Sequence, residues 1–186
     1  MANGTLKVSN IQTSSGSGTI TIGQSGETIT IPSGATVSGA GANTPAFSAY
    51  LSADQTGLAD NTFVKVAMDT EFYDSDGKYD TSNYRFTPTV AGKYIFGASL
   101  YIEGSNTLDT SQLALYKNGS KILYKEENLD NITCQQITGS LVLDDDDYVE
   151  LYIKVDVASG GTFFVNQDGT TTNNRAYWYG YRVIGA

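Results

Sequence analysis

The chain has 186 residues, enough for one domain of ordinary size and a short extension, and a net charge of −9 from 20 acidic and 11 basic residues. This charge has the wrong sign for neutralising phosphates, which excludes a nucleic-acid binder, and it argues against docking on anionic lipid. Histidine is absent and the one cysteine is Cys134, which excludes Ser-His-Asp and Cys-His catalysis, histidine-based zinc sites and an intrachain disulfide.

The remaining composition indicates an all-β chain. It combines 20 glycines and 13 tyrosines with many threonines and serines and few helix-forming residues. The N-terminus has no signal-peptide pattern and no apolar run reaches about 18 residues, so we expect a soluble protein without a standard secretion route. We expect Cys134 to be a small buried hydrophobe.

Residues 1–44 lack aromatic side chains and repeat a short unit in which two aliphatic residues flank a polar one. About eight aliphatic side chains cannot offset the ordering entropy of about forty residues in a lone chain, so such repeats must stack on copies of themselves. We therefore expect an intertwined β-stem made by several identical chains; a flexible linker is the alternative. The side chains expected in the stem core are Leu6, Val8, Ile20, Ile22, Ile29, Ile31 and Val37.

Residues 45–186 have the strand spacing of a β-sandwich or jelly-roll head. Asn118-Gly119 predicts a two-residue hairpin turn, and residues 54–61 are expected to form a polar loop. The predicted strands cover residues 47–51, 62–68, 94–102, 112–117, 122–124, 133–143, 148–157, 163–165 and 176–184.

The segment from Phe86 to Phe96 predicts a tight turn that feeds the central strand of this head. Pro88 suits a strand edge and Gly92 suits a turn, after which alternate residues present large apolar side chains to one face. The strand after Tyr148 shows the same alternation. The core side chains predicted from these patterns are Phe86, Tyr94, Phe96, Val149, Leu151 and Ile153.

Several short motifs follow one another in a fixed order along residues 46–186. They are Phe47-Ser48-Ala49, Tyr79-Asp80, Phe86-Thr87 with Gly92, Tyr94 and Phe96, Leu115-x-Lys117-Asn118-Gly119, Leu143-x-x-x-Asp147-x-Val149-x-Leu151, and Trp178-x-Gly180. In this order they resemble the globular head of complement component one-q, a ten-stranded jelly roll of the tumour-necrosis-factor-like superfamily. The resemblance implies a homotrimer and a buried Trp178, but it does not carry complement activity to this chain.

The sequence departs from that family at three points. Asp146-Asp147 replaces a Gly-Asp pair in the acidic turn, Ala176 replaces a serine, and the collagen-like stalk of the animal proteins is absent. A short β-repeat stem joined to such a head resembles bacteriophage structural proteins, in which intertwined stems attach trimeric knobs to the particle.

We therefore expect a non-enzymatic, homotrimeric virion structural protein: a short fibre, a knob or a capsid decoration at the virion surface. Residues 1–44 would bind other virion proteins of the capsid or tail, and the head would serve adhesion to a host-surface glycan or protein, or particle stabilisation. The alternative is a free recognition module of a cell that binds glycan or protein through loops 103–111 and 166–175. Neither function involves nucleic acid or membrane insertion.

No motif predicts a catalytic residue, and no cofactor is expected. Clustered carboxylates supply the hard oxygen ligands that calcium prefers, so the acidic run is a weak calcium candidate. It lacks the spaced ligand pattern of a dedicated calcium loop, and a solvated turn is the preferred interpretation. The same holds for Asp74, Asp76 and Asp80. The residues of the acidic run are Asp144, Asp145, Asp146 and Asp147.

Three tyrosines alternate with Trp178 on the last predicted strand. If Trp178 faces the core, then Tyr177, Tyr179 and Tyr181 face outward together. Aromatic side chains are enriched at subunit interfaces, so these three are candidates for the trimer interface, with glycan contact as the alternative.

Overall fold

The computed structural model describes residues 11–12, 19–33, 43–129, 133–167 and 174–184. The chain divides into two compact units, Met1–Ala40 and Gly41–Ala186. Every regular element among the described residues is a β-strand. The described part of the chain contains no helix long and apolar enough to cross a membrane.

The described part of the first unit, residues 11–12 and 19–33, contains a turn and no assigned strand. The Glu27 N–H donates to the Gln24 carbonyl at 3.0 Å, and the Gln24 N–H donates to Glu27 Oε2 at 2.6 Å. The isoleucines remain between 42% and 62% exposed, at Ile11, Ile20, Ile22, Ile29 and Ile31. The strands predicted there do not pair within one chain, and the intertwined stem stays a prediction. Leu6, Val8 and Val37 lie outside the described residues.

The second unit contains thirteen strands in its described residues. They are β1 (Ala46–Tyr50), β2 (Gln55–Ala59), β3 (Val64–Lys65), β4 (Thr70–Asp74), β5 (Tyr79–Asp80), β6 (Arg85–Phe86), β7 (Gly92–Gly104), β8 (Leu108–Lys117), β9 (Ser120–Asn128), β10 (Thr133–Leu143), β11 (Val149–Val157), β12 (Thr162–Asn166) and β13 (Tyr177–Arg182). The predicted polar loop at 54–61 is wrong in its centre, because β2 forms there and pairs with β12.

These strands form two antiparallel sheets, which confirms the predicted all-β two-sheet head. Sheet A has the order β2-β12-β7-β13-β1-β4, with β10 paired to the other side of β7. Sheet B has the order β5-β6-β11-β8-β9, with β3 also paired to β11. The 13-residue β7 pairs with β10 from Gly92 to Ile102, and with β13 and then β12 on its opposite edge. The strand predicted to be central is thus an interior strand with three partners, and it lies next to the edge strand β10.

A cluster of aromatic rings joins the two sheets. Phe47 on β1 stacks on Tyr79 at 4.8 Å and on Phe86 at 4.7 Å, both from sheet B, and meets the edge of Trp178 at 4.6 Å between ring centres. The Tyr79 hydroxyl donates to the Met68 carbonyl at 2.7 Å and accepts from Trp178 Nε1 at 3.2 Å, so both polar groups of the cluster are satisfied. Residues that are at most 1% exposed include Phe86, Tyr94, Phe96, Val149, Leu151, Ile153 and Trp178.

The prediction that Cys134 is buried is wrong. On β10 the residues that face the core are Gln135 and Ile137, and Cys134 lies on the outward side, exposed, with Sγ 3.4 Å from Ser99 Oγ. Gln135 is tolerated inside because its Nε2 donates to Glu127 Oε2 at 2.9 Å. Neighbouring residues of a strand point to opposite faces of the sheet. Because Gln135 points into the core, the Cys134 thiol points outward.

We expect Phe47→Ala to lower the free energy of unfolding by about 3–5 kcal/mol, because it removes a fully buried ring that contacts both sheets. The control is Val142→Ala, whose side chain is 67% exposed and which should change stability by less than about 0.5 kcal/mol. Urea denaturation followed by fluorescence measures both; equal losses in the two variants would contradict the role given to the cluster.

Candidate interaction surfaces

The outward side of sheet A presents aromatic rings on three neighbouring strands, β13, β1 and β4. Alternation along β13 buries Trp178 and Gly180 and leaves the three candidate tyrosines half-buried on the outward side. Phe72 and Tyr73 on β4 are 53% and 52% exposed. We call this surface the sheet A aromatic face; its residues are Tyr50, Phe72, Tyr73, Tyr177, Tyr179 and Tyr181.

The rings of the sheet A aromatic face are held in place by their neighbours. Tyr179 and Tyr181 stack with ring centres 6.4 Å apart, and Tyr50 packs on Phe72 at 4.4 Å. Tyr179 lies over Gly97 on β7, where a Cβ would come within 2.5 Å of the ring. A flat, ordered, apolar surface of this kind loses little side-chain entropy when a partner covers it.

A groove of about 510 Å³ lies between β9 and β10, the edge strands of the two sheets. Leu123 and Ile137 line it, and Gly139 is packed so closely on Leu123 that a Cβ would collide with it. The sequence prediction missed this groove. An isolated glycine within a strand pattern often marks a close approach, so Gly139 was the available signal.

The acidic turn between β10 and β11 separates into three exposed carboxylates and one that points inward. Asp147 is 7% exposed, and its Oδ2 lies 2.6 Å from Lys117 Nζ. Its Oδ1 accepts from Asn118 Nδ2 at 2.6 Å, and its Oδ2 accepts from the Asp144 N–H at 2.7 Å. These contacts, with the ammonium of Lys117 first among them, lower the pKa of Asp147 below its ordinary value.

Asn118 connects this acidic turn to the turn between β8 and β9. Its Oδ1 accepts from the Tyr148 N–H at 2.9 Å, and its own N–H donates to the Tyr148 carbonyl at 3.0 Å. Asn118 and Gly119 have φ values of 51° and 75°, the left-handed pair of a two-residue hairpin, which confirms the turn predicted from the sequence. Asp147 is therefore a structural anchor that ties two turns together.

The candidate calcium ligands do not converge. Among the described residues no group of three or more carboxylate or cysteine side chains is placed to hold a metal ion. In the second candidate, Asp74 Oδ2 accepts from the Tyr79 N–H at 2.8 Å and Asp76 lies in the turn that follows Asp74. Asp80 accepts from Asn83 Nδ2 at 2.6 Å and from the Ser82 and Asn83 N–H groups, which lowers its pKa.

One of the two loops predicted for the recognition-module alternative is smaller than expected. β7 continues to Gly104 and β8 begins at Leu108, so only residues 105–107 connect them. The predicted loop 103–111 is therefore wrong, because its ends belong to the β7–β12 and β8–β11 ladders. Residues 168–173 of the second predicted loop lie outside the described residues.

Comparison with protein families and solved structures identifies the fold. The family model of the C1q domain matches residues 46–172. The globular domain of zebrafish complement 1qA protein matches with a TM-score of 0.53 at 17% identity, over 75% of this chain and 98% of that one. Eiger TNF from S. frugiperda matches with a TM-score of 0.52 at 12% identity, over 76% of this chain and 93% of that one. Murine APRIL matches with a TM-score of 0.53 at 7% identity, over 74% of this chain and 98% of that one. These likenesses show the jelly-roll fold that the sequence predicted.

The chain is also similar to the phage-like element PBSX protein XkdV of Bacillus subtilis (strain 168). The two are 32% identical over 119 residues, which is 59% of this chain and 17% of XkdV. The chain thus spans about a sixth of the length of that relative.

We expect Asp147→Asn to lower the free energy of unfolding at neutral pH by about 1.5–3 kcal/mol, because it removes the charged partner of Lys117 and Asn118. The pKa of Asp147 is lower in the folded than in the unfolded protein. Its contribution is therefore fully present above the unfolded value of about 3.9 and is lost as the pH falls through the folded value.

Urea denaturation from pH 7 to pH 2 checks this dependence. The difference between wild type and Asp147→Asn should be constant above about pH 5 and shrink below it. Asp145→Asn, an exposed change in the same turn, is the control and should leave the curve unchanged. A difference that grows towards low pH contradicts the ion pair.

Proposed function

Because the chain belongs to the C1q domain family, we propose that it forms a homotrimer and serves as a non-enzymatic structural protein of a bacteriophage particle. The observation that carries the phage assignment is the 32% identity over 119 residues to a protein of a phage-like element. The form of the protein is a short fibre, a knob or a capsid decoration at the particle surface, whose head acts in adhesion or particle stabilisation.

Trimerisation is supported by two surfaces of different shape on the same head. The sheet A aromatic face presents exposed and half-buried rings, and the groove between β9 and β10 is concave and lined by Leu123 and Ile137 together with polar side chains. A contact between two different surfaces is heterologous, and it closes into a ring when the rotation between copies is one third of a turn. Tyr177, Tyr179 and Tyr181 belong to the flat partner of this contact.

Attachment to the particle is supported by the isoleucines of the first unit. Ile20, Ile22, Ile29 and Ile31 are exposed in a single chain, where water-exposed apolar surface is unfavourable. Three copies that intertwine would bury them, at about 1.5–3 kcal/mol for each fully buried side chain. The domain assignment is therefore residues 1–44 as stem and 45–186 as head, and the stem binds a capsid or tail protein.

We expect Tyr181→Glu to dissociate the trimer, because a carboxylate in the centre of an apolar interface has no partner. Tyr148→Glu makes the same change at a half-buried tyrosine that belongs neither to the sheet A aromatic face nor to the groove, and it should leave the trimer intact. Sedimentation velocity at micromolar concentration gives the masses. If both variants form trimers, the sheet A aromatic face is not part of the interface.

We expect the protein to occur in purified phage particles in a copy number that is a multiple of three, as measured by quantitative mass spectrometry. The double variant Ile29→Asp/Ile31→Asp should fold its head and lose particle association, because it puts charges in the stem core. Thr30→Asp, which lies between these two positions, is the matched control and should still associate. A monomer in solution that is absent from particles would favour the free recognition module instead.

A further inference from the structure

The outward side of sheet B differs from that of sheet A because lysine ammonium groups lie over its aromatic rings. Lys121 Nζ is 4.7 Å from the ring centre of Phe63 and 4.3 Å from that of Tyr124. Lys154 Nζ is 5.8 Å from the same Phe63 ring. Distances of this size are those of cation–π contacts. We call this surface the sheet B cation surface; its residues are Phe63, Lys65, Tyr116, Lys121, Tyr124, Tyr152 and Lys154.

The rings of the sheet B cation surface form a continuous ridge. Phe63 meets the edge of Tyr116 on β8 with ring centres 5.8 Å apart, and Tyr116 packs on Tyr152 of β11 at 4.1 Å. Burial raises the pKa of both tyrosines, and the Glu150 carboxylate, to which the Tyr152 hydroxyl hydrogen-bonds, raises the pKa of Tyr152 further. The ridge is rigid because β8 and β11 are paired along their whole length.

Two of the cations on this surface lack a carboxylate partner. Among the described residues, ion pairs join Lys65 to Glu150 at 2.5 Å, Lys117 to Asp147, and Lys125 to Glu127. Lys121 donates instead to Gln112 Oε1 at 3.4 Å, and the Gln112 amide in turn engages Glu126 at 2.9 Å. In a chain with a net charge of −9, two uncompensated ammonium groups beside one ring are a local site for an anion.

We propose that the sheet B cation surface binds an acidic carbohydrate, a saccharide whose sugar rings carry carboxylate or phosphate groups. The anionic groups pair with Lys121 and Lys154, which are held over Phe63. The apolar faces of the sugar rings lie on the aromatic ridge, and the hydroxyls of Tyr116 and Tyr124 and the Gln112 amide bond the sugar hydroxyls.

Other partners of a charged surface fit less well. A peptide strand could pair only with the free edge of β9, because β11 and β8, which carry Tyr116, Tyr152 and Lys154, are paired on both sides. A saccharide matches both features of this surface, the flat rings and the fixed cations.

The inference rests on the proposed function, because it names what the projected head adheres to. The surface belongs to sheet B, and of its residues only Tyr124 also lines the groove that the proposed trimer contact uses. Phe63, Lys121 and Lys154 lie outside that groove and outside the sheet A aromatic face. Three copies of the surface would therefore stay accessible in one trimer. A polymeric ligand can engage all three, which raises the apparent affinity without any new contact.

The test is binding of the full chain to immobilised polygalacturonate, with neutral galactan and poly-L-glutamate as probes that lack the charge and the sugar, respectively. We expect binding to polygalacturonate, no binding to galactan and weaker binding to poly-L-glutamate. Raising the salt from about 0.1 M to about 1 M shortens the Debye length from about 10 Å to about 3 Å and should abolish most of the binding.

Two variants assign the binding to this surface. Lys121→Gln should weaken binding about tenfold, since it removes one charge-assisted hydrogen bond. Lys93→Gln removes the same charge from an exposed lysine of sheet A and is the matched control. Phe63→Leu keeps an apolar side chain but removes the ring, so it should weaken binding to polygalacturonate more than binding to poly-L-glutamate.

Equal binding of both polyanions, or equal losses in Lys121→Gln and Lys93→Gln, would overturn the inference. Sedimentation of each variant in parallel keeps the two proposals separate. A trimer that fails to bind polygalacturonate overturns only the carbohydrate site. A monomer that binds it overturns only the trimeric virion protein.

Discussion

The head depends on one interaction: the stacking of Phe47 between rings that come from both sheets. Tyr79 and Phe86 approach from sheet B, and Trp178 approaches along sheet A. Because side chains alternate along a strand, fixing Trp178 inside also fixes its neighbours outside. The aromatic surface of sheet A is thus a geometric consequence of the core, and the two cannot be changed independently.

The parts of the fold that the sequence predicted are those set by short-range chemistry. The Asn118-Gly119 turn follows from the left-handed conformations it needs, and the buried residues of β7 and β11 follow from alternation. Cys134 was misplaced because its residue type was weighed above its position: alternation with the buried Ile137, Leu141 and Leu143 puts position 134 on the outward face. The partners of Asp147 were missed because Lys117 lies thirty positions earlier and meets it only across a sheet.

The surfaces were harder to predict than the core for the same reason. The groove between β9 and β10 and the cations over Phe63 each join residues from separate strands, and Gly139 is the one local signal for the groove while the cations have none. The outward tyrosines of β13 could be predicted from the sequence because one strand carries all three. The two sheets therefore present different chemistry, apolar and flat on one side and cationic on the other, from a chain whose composition shows only an acidic protein.

Tyr179 lies flat because the strand behind it has no side chain at Gly97. Gly97, which is itself buried, thus determines how closely the Tyr179 ring lies against the sheet. A single methyl group there would lift the ring and roughen the whole face, while every exposed residue stayed the same. Substitutions that alter a contact between copies can therefore lie beneath the contact surface as well as on it.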